Sequence, residues 1–92
     1  MSNQTQTGSV FGTVVDNQGS FLPGVTVTLS GIGAPQVLPS DSEGQFRFFN
    51  LAPGKYELRA ELEGFSPMEY PNVNVSVGGN TEVEMTLNSA IE

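Results

Sequence analysis

Residues 51–65 read LAPGKYELRAELEGF, apolar and charged residues taking turns between a Pro-Gly pair and a glycine. Tyr56, Leu58, Ala60 and Leu62 recur at every second position, with Lys55, Glu57, Arg59, Glu61 and Glu63 around them. Successive side chains of a strand point to opposite faces, so a period of two predicts a strand with one face buried and the other in water, as in an antiparallel sheet. Pro53 and Gly54 supply the bend before it, proline by fixing φ and glycine by tolerating positive φ, and Gly64 closes it. Nothing in the segment is reactive.

The same pattern recurs on both sides. SVFGTVVD (9–16) sets Val10, Gly12 and Val14 on one face against Phe11, Thr13 and Val15 on the other. VTVTLS (25–30) turns Val25, Val27 and Leu29 inward, QFRFFNL (45–51) does so with Phe46 and Phe48, and TEVEMTL (81–87) with Val83, Met85 and Leu87. NVNVSV (72–77) alternates Val73, Val75 and Val77 with polar partners, and VLPS (37–40), interrupted by Pro39, is either an edge strand or no strand. DNQGSFLPG (16–24), GIGAPQ (31–36), DSEG (41–44) and GGN (78–80) have loop and turn composition, with Gly44 as the left-handed residue of a bulged hairpin. FSPMEYP (65–71), with two prolines, reads as irregular. About seven short strands at spacings of 8 to 12 residues, without helical periodicity, predict an all-β chain folded as a β-sandwich or a small barrel, of which the sandwich is favoured. The expected architecture is a seven-stranded antiparallel Greek-key β-sandwich. Residues 1–8 read as a flexible N-terminal lead-in, 9–88 as one domain, and 89–92 as the start of a C-terminal linker.

Bulk composition narrows the function. A chain of 92 residues holds one modest core. Three Lys and Arg against ten Asp and Glu give a net charge of -7, which repels nucleic-acid backbones and anionic membranes. No apolar run approaches the roughly 20 residues that span a bilayer, so no direct membrane insertion is expected, and MSNQTQTGS lacks the regions of a signal peptide. The chain has no Cys, hence no disulfide, which many exported bacterial domains also do without. It has no His, which removes the usual neutral-pH acid/base and the commonest metal ligand.

Three features in order carry a family likeness: G-x-V-x-D from Gly12 to Asp16, L-P-G-V-x-V from Leu22 to Val27, and G-x-F-x-F-x-x-L-x-P-G-x-Y-x-L from Gly44 to Leu58. Together with the last strand VEMTL they make the chain resemble the carboxypeptidase regulatory-like domain, from about Ser9 to Leu87. The resemblance implies a transthyretin-like sandwich and a non-catalytic accessory domain. Such modules occur beside metallocarboxypeptidases, in cell-surface arrays, and at the N-terminus of TonB-dependent outer-membrane receptors. The run QTQTGSVFGTVVDNQG is similar to the last group. That setting implies an extracytoplasmic protein, in the periplasm or outer membrane, with the neighbouring domain of the parent protein as partner and an isolated fragment that is monomeric.

Candidate sites each have a plainer account. The transthyretin-like hydrolase of purine breakdown needs several His, absent here. An isopeptide of the collagen-adhesin B type needs a Lys on the first strand, whereas Lys55 is the only Lys and follows a turn on the polar face. Asp41 and Glu43 of DSEG could offer oxygens to calcium, but the ion wants six or more, and Asp, Ser and Gly are what a hairpin turn requires. Asp16, Asn17 and Gly19 admit the same two accounts. Glu57, Glu61, Glu63, Glu82 and Glu84 fall on outward faces, where solvation explains them better than glycoside hydrolysis. No cofactor, catalytic or metal residue is assigned. The anomaly is aromatic: parity places Phe11 and Phe49 outward, and Phe21 and Tyr70 lie in or beside loops. Such rings can stack on carbohydrate or anchor a partner domain, and loops folded back over them account for them as well.

Overall fold

The computed structural model describes residues 7–90. Seven strands follow in order: β1 (Gly8–Asp16), β2 (Thr26–Ser30), β3 (Gln36–Pro39), β4 (Gln45–Leu51), β5 (Gly54–Glu61), β6 (Met68–Val75) and β7 (Asn80–Leu87). They form a three-stranded sheet, β4-β1-β7, and a four-stranded sheet, β3-β2-β5-β6. Only β2–β3 and β5–β6 are joined within one sheet; every other connection crosses between sheets, as a Greek-key sandwich requires. No helix occurs among the described residues.

The alternating pattern places the core between the sheets. Tyr56, Leu58 and Ala60 of β5 are buried with Val27 and Leu29 of β2, and face Val10, Val14, Phe46, Phe48, Val83, Met85 and Leu87 of the other sheet. Phe46 and Phe48 lie 6.1 Å apart between ring centroids in a tilted arrangement, which suits the opposed charges of ring face and edge. VLPS proves to be an edge strand, β3, paired with β2 alone.

Four features depart from regular, all-antiparallel strands. Three residues of β1, Gly8 to Val10, face four of β4, Phe48 to Leu51, with Asn50 at φ 58°. This bulge lets Phe48 and Leu51 both point inward and turns Phe49 out. A second bulge lies where Tyr56 pairs with Val73 but Leu58 with Tyr70. It holds Pro71 and Asn72 (φ 63°), and because β6 is an edge strand, proline costs no ladder bond there. The expected irregular stretch 65–71 therefore begins a strand at Met68, and that strand ends at Val75, leaving Val77 exposed. Third, β1 and β7 are parallel, in register from Ser9↔Asn80 to Asp16↔Leu87, so the three-stranded sheet is mixed rather than antiparallel. Fourth, Val15 is buried despite its outward parity, because Phe21 pairs beside it where β4 has ended.

Of the lead-in expected at 1–8, residues 1–6 lie outside the described residues, Thr7 accepts a bond from the Gly78 amide at 2.9 Å, and Gly8 opens β1. Of the linker expected at 89–92, Ser89 forms a bridge with Phe65 and the Ala90 amide donates to Gly64 at 3.0 Å, while 91–92 lie outside the described residues.

Candidate functional site

The two aspartate turns have one design. In DNQGS, Asp16 Oδ1 accepts from the amides of Gln18 (2.8 Å) and Ser20 (2.9 Å). In DSEGQ, Asp41 Oδ1 accepts from those of Glu43 (2.9 Å) and Gln45 (2.8 Å). The glycine fourth in each, Gly19 or Gly44, has positive φ and donates to the aspartate carbonyl. The bonds from Gln45 and Glu43 hold the Asp41 carboxyl below its ordinary value. Each carboxylate is thus engaged with its own turn, and no three acidic side chains converge among the described residues.

The outer faces of the two sheets differ. On the four-stranded sheet Arg59 pairs with Glu61 at 3.0 Å and with Glu69 across the strands, and these partners, Glu61 first, raise its pKa. That surface is charged and internally paired. On the three-stranded sheet the cross-strand rows are Phe49 near Ser9 and Asn80, then Arg47–Phe11–Glu82, then Gln45–Thr13–Glu84, then Phe21–Val15–Thr86. Aromatic rings therefore follow the outer side of β1.

Two of them share a groove. Ser9, Phe11, Arg47, Phe49 and Asn80 line an open hollow of about 240 Å³. A second hollow of about 190 Å³ adjoins it across Phe49, walled by Asn50 and the Gly78–Asn80 turn. Ser9 Oγ donates to Asn80 Oδ1 at 2.6 Å, fixing the groove's polar end. The bulge delivers Phe49, which is 60% exposed, and β1 delivers Phe11, which is half-buried. Arg47 makes no ion pair among the described residues, although its charge reaches Asp41. Two rings, a guanidinium and an amide can stack on and hydrogen-bond a ligand. They contain no nucleophile with an adjacent base.

The other two aromatic candidates lie elsewhere. Phe21, 58% exposed, is at the far end of β1, and Tyr70, 38% exposed, is in edge strand β6 of the opposite sheet. A larger open depression, about 360 Å³, lies beside Glu61, Leu62, Glu63 and Phe65. Its lining offers two carboxylates, that of Glu61 already taken by Arg59, and neither a guanidinium nor an amide side chain, so the smaller groove is the better binding chemistry. Arg47 was accessible to the same parity reasoning as Phe49, two residues away. Ser9 and Asn80 were not, since they meet only through the parallel pairing of the first and last strands.

The carboxypeptidase regulatory-like domain model matches residues 9–88. The chain belongs to that family. It is 31% identical over 86 residues to the TonB-dependent transporter Oar of Myxococcus xanthus, an alignment covering 89% of this chain and 8% of that protein. The chain thus spans under a tenth of this relative's length. Among solved structures, the 5-hydroxyisourate hydrolase of Klebsiella pneumoniae superposes with a TM-score of 0.68 at 21% identity, covering 89% of this chain and 91% of that one. A candidate carbohydrate-binding protein of Bacteroides uniformis gives a TM-score of 0.68 at 20% identity, over 86% of this chain and 40% of that one. At such identities these two establish the fold, a transthyretin-like β-sandwich, and nothing of activity.

Proposed function

We propose that this chain is a non-catalytic accessory domain of an exported bacterial protein, set N-terminal to a TonB-dependent outer-membrane transporter and acting as spacer and contact module. The observation that carries the reading is the 31% identity to a TonB-dependent transporter of which the matched segment is only 8%. Membership of the regulatory-like family supports a non-enzymatic role, as does a sequence without His or Cys. No helix among the described residues is long and apolar enough to cross a membrane. In this reading residues 9–88 are the module, 89–92 lead into a linker, and the isolated module is monomeric. The test is to read the native gene on both sides. A signal peptide upstream and a long series of alternating β-segments downstream are expected; a metallopeptidase motif downstream would replace the transporter reading.

A second reading rests on the groove: Phe11 and Phe49 form a stacking platform for carbohydrate, with Arg47 and Asn80 bonding hydroxyl or carboxylate groups. The likeness to the Bacteroides uniformis structure supports it at the level of fold. Titration with a panel of neutral and acidic oligosaccharides, followed by amide chemical shifts, should move the resonances of Ser9, Phe11, Arg47 and Phe49. Phe49→Ala, at an exposed position, should abolish those shifts and leave the fold intact. No shift at millimolar ligand would dismiss the reading.

A further inference from the structure

We propose that the domain bears tension along its own chain, with β1 and β7 acting as a shear clamp. The proposal takes its biological setting from the spacer reading but its mechanics from the fold alone. The first and last strands are neighbours and run parallel, in register from Ser9↔Asn80 to Asp16↔Leu87. The chain therefore enters at one end of the pair and leaves at the other, separated by about 26 Å for nine residues of strand. Tension applied through Thr7 and Asn88 pulls β1 and β7 in opposite directions along their shared axis. The evenly spaced bonds of a parallel ladder then carry load together. Had β7 run antiparallel to β1, both ends would leave at the same end and the bonds would open one at a time.

Sliding is also obstructed by packing. Val10 and Val14 of β1 and Val83, Met85 and Leu87 of β7 are buried in the core, so movement along the axis drags apolar side chains past fixed neighbours. Gly12 sits between the two valines, and a Cβ there would lie 1.9 Å from the Val83 carbonyl oxygen and 2.8 Å from the Phe46 ring. Pulling on the N-terminal side moves Val14 toward that place, which cannot accept even a methyl group. β1 is in addition the central strand, so it must shear from β4 as well as from β7.

Both ends are secured where tension would enter. At the entrance the Gly78 amide donates to Thr7 (2.9 Å) and the Ser9 amide to Gly79 (3.0 Å). At the exit the Ser66 amide donates to Asn88 (2.8 Å) and the Ala90 amide to Gly64 (3.0 Å). Tension arriving from either side meets these bonds first and the β1–β7 ladder next.

Single-molecule pulling on the full 92-residue chain tests the proposal. One set of handles is attached at the two chain ends. The other joins the N-terminus to Val77→Cys, a unique thiol in a chain without Cys, at an exposed position in the loop before β7. That second geometry peels β1 from the Gly8 end. End-to-end pulling should need at least about twice the rupture force of peeling, since the ladder bonds yield together rather than in sequence. Equal forces would overturn the clamp and leave the spacer reading standing. A parent that is not a transporter would do the reverse. An amide spectrum of the Val77→Cys protein matching the parent confirms that both geometries load the same fold.

Discussion

Removing one hydroxyl should test how the loop before β2 is held. Ser40 is 5% exposed at the end of β3. Its Oγ donates to the Leu22 carbonyl at 2.7 Å and accepts from the Val25 amide at 2.9 Å, both within the core. The main chains add Gly24 N–H to Ser40 O at 3.0 Å and Ser40 N–H to Val25 O at 2.9 Å. Ser40→Ala leaves a buried carbonyl and a buried amide without partners. Each such group costs about 1–3 kcal/mol, so a combined loss of about 3 kcal/mol allows for partial relaxation. A domain of 92 residues has about 5–14 kcal/mol in all, which makes this a large fraction. At about 4–8 °C per kcal/mol for a chain this size, Tm should fall by about 12–24 °C. The assay is thermal and urea unfolding by far-ultraviolet circular dichroism, with amide exchange at Val25 accelerated and the urea m-value unchanged. A fall smaller than about 4 °C, equivalent to under about 1 kcal/mol, would refute the idea that this hydroxyl satisfies both groups.

Two further outcomes follow from close packing and from charge. Gly12→Ala drives a methyl group into the Val83 carbonyl oxygen, which is main chain and cannot swing aside, so a cost of about 3 kcal/mol or more is expected in the urea midpoint; a wild-type midpoint would mean that β1 and β7 can separate cheaply. For Asp41, the carboxyl is held below its ordinary value by the Gln45 and Glu43 amides, so its stabilising contribution is present above the unfolded value of about 3.9 and lost as pH falls through the lower folded value. The gap in Tm between parent and Asp41→Ala should therefore be full at neutral pH and narrow below about pH 4; a gap constant down to pH 2 would show that the charged form has no special role.

The strands were legible wherever burial is one-sided. β2, β5 and β7 show this, because alternation there is a direct record of which face meets the core. The DSEG turn and the left-handed Gly44 were legible for a local reason, aspartate and glycine serving the turn itself, but the expected hairpin was not formed, because the turn carries β3 over to β4 in the other sheet. What failed depended on neighbours distant in sequence. Pro71 signals irregularity until β6 is known to be an edge strand, where a proline in a bulge is tolerated. The parallel pairing of β1 with β7 leaves no trace in either strand's own pattern. At the groove, parity shows Phe11 and Phe49 facing outward, but only register brings them beside each other and adds Ser9 and Asn80. Phe21 and Tyr70 look alike in sequence and are dispersed by topology.

The interruptions at the sheet margins have a consequence for life among many copies. β3 is four residues long and ends at Pro39, β6 carries Pro71 within its bulge, β7 presents Glu82 and Glu84, and β4 breaks at Phe49–Asn50. None offers the long, flat, unpaired ladder on which another chain could template cross-β growth. Modules built this way can stand crowded side by side, or be transiently deformed, without fusing edge to edge into aggregates.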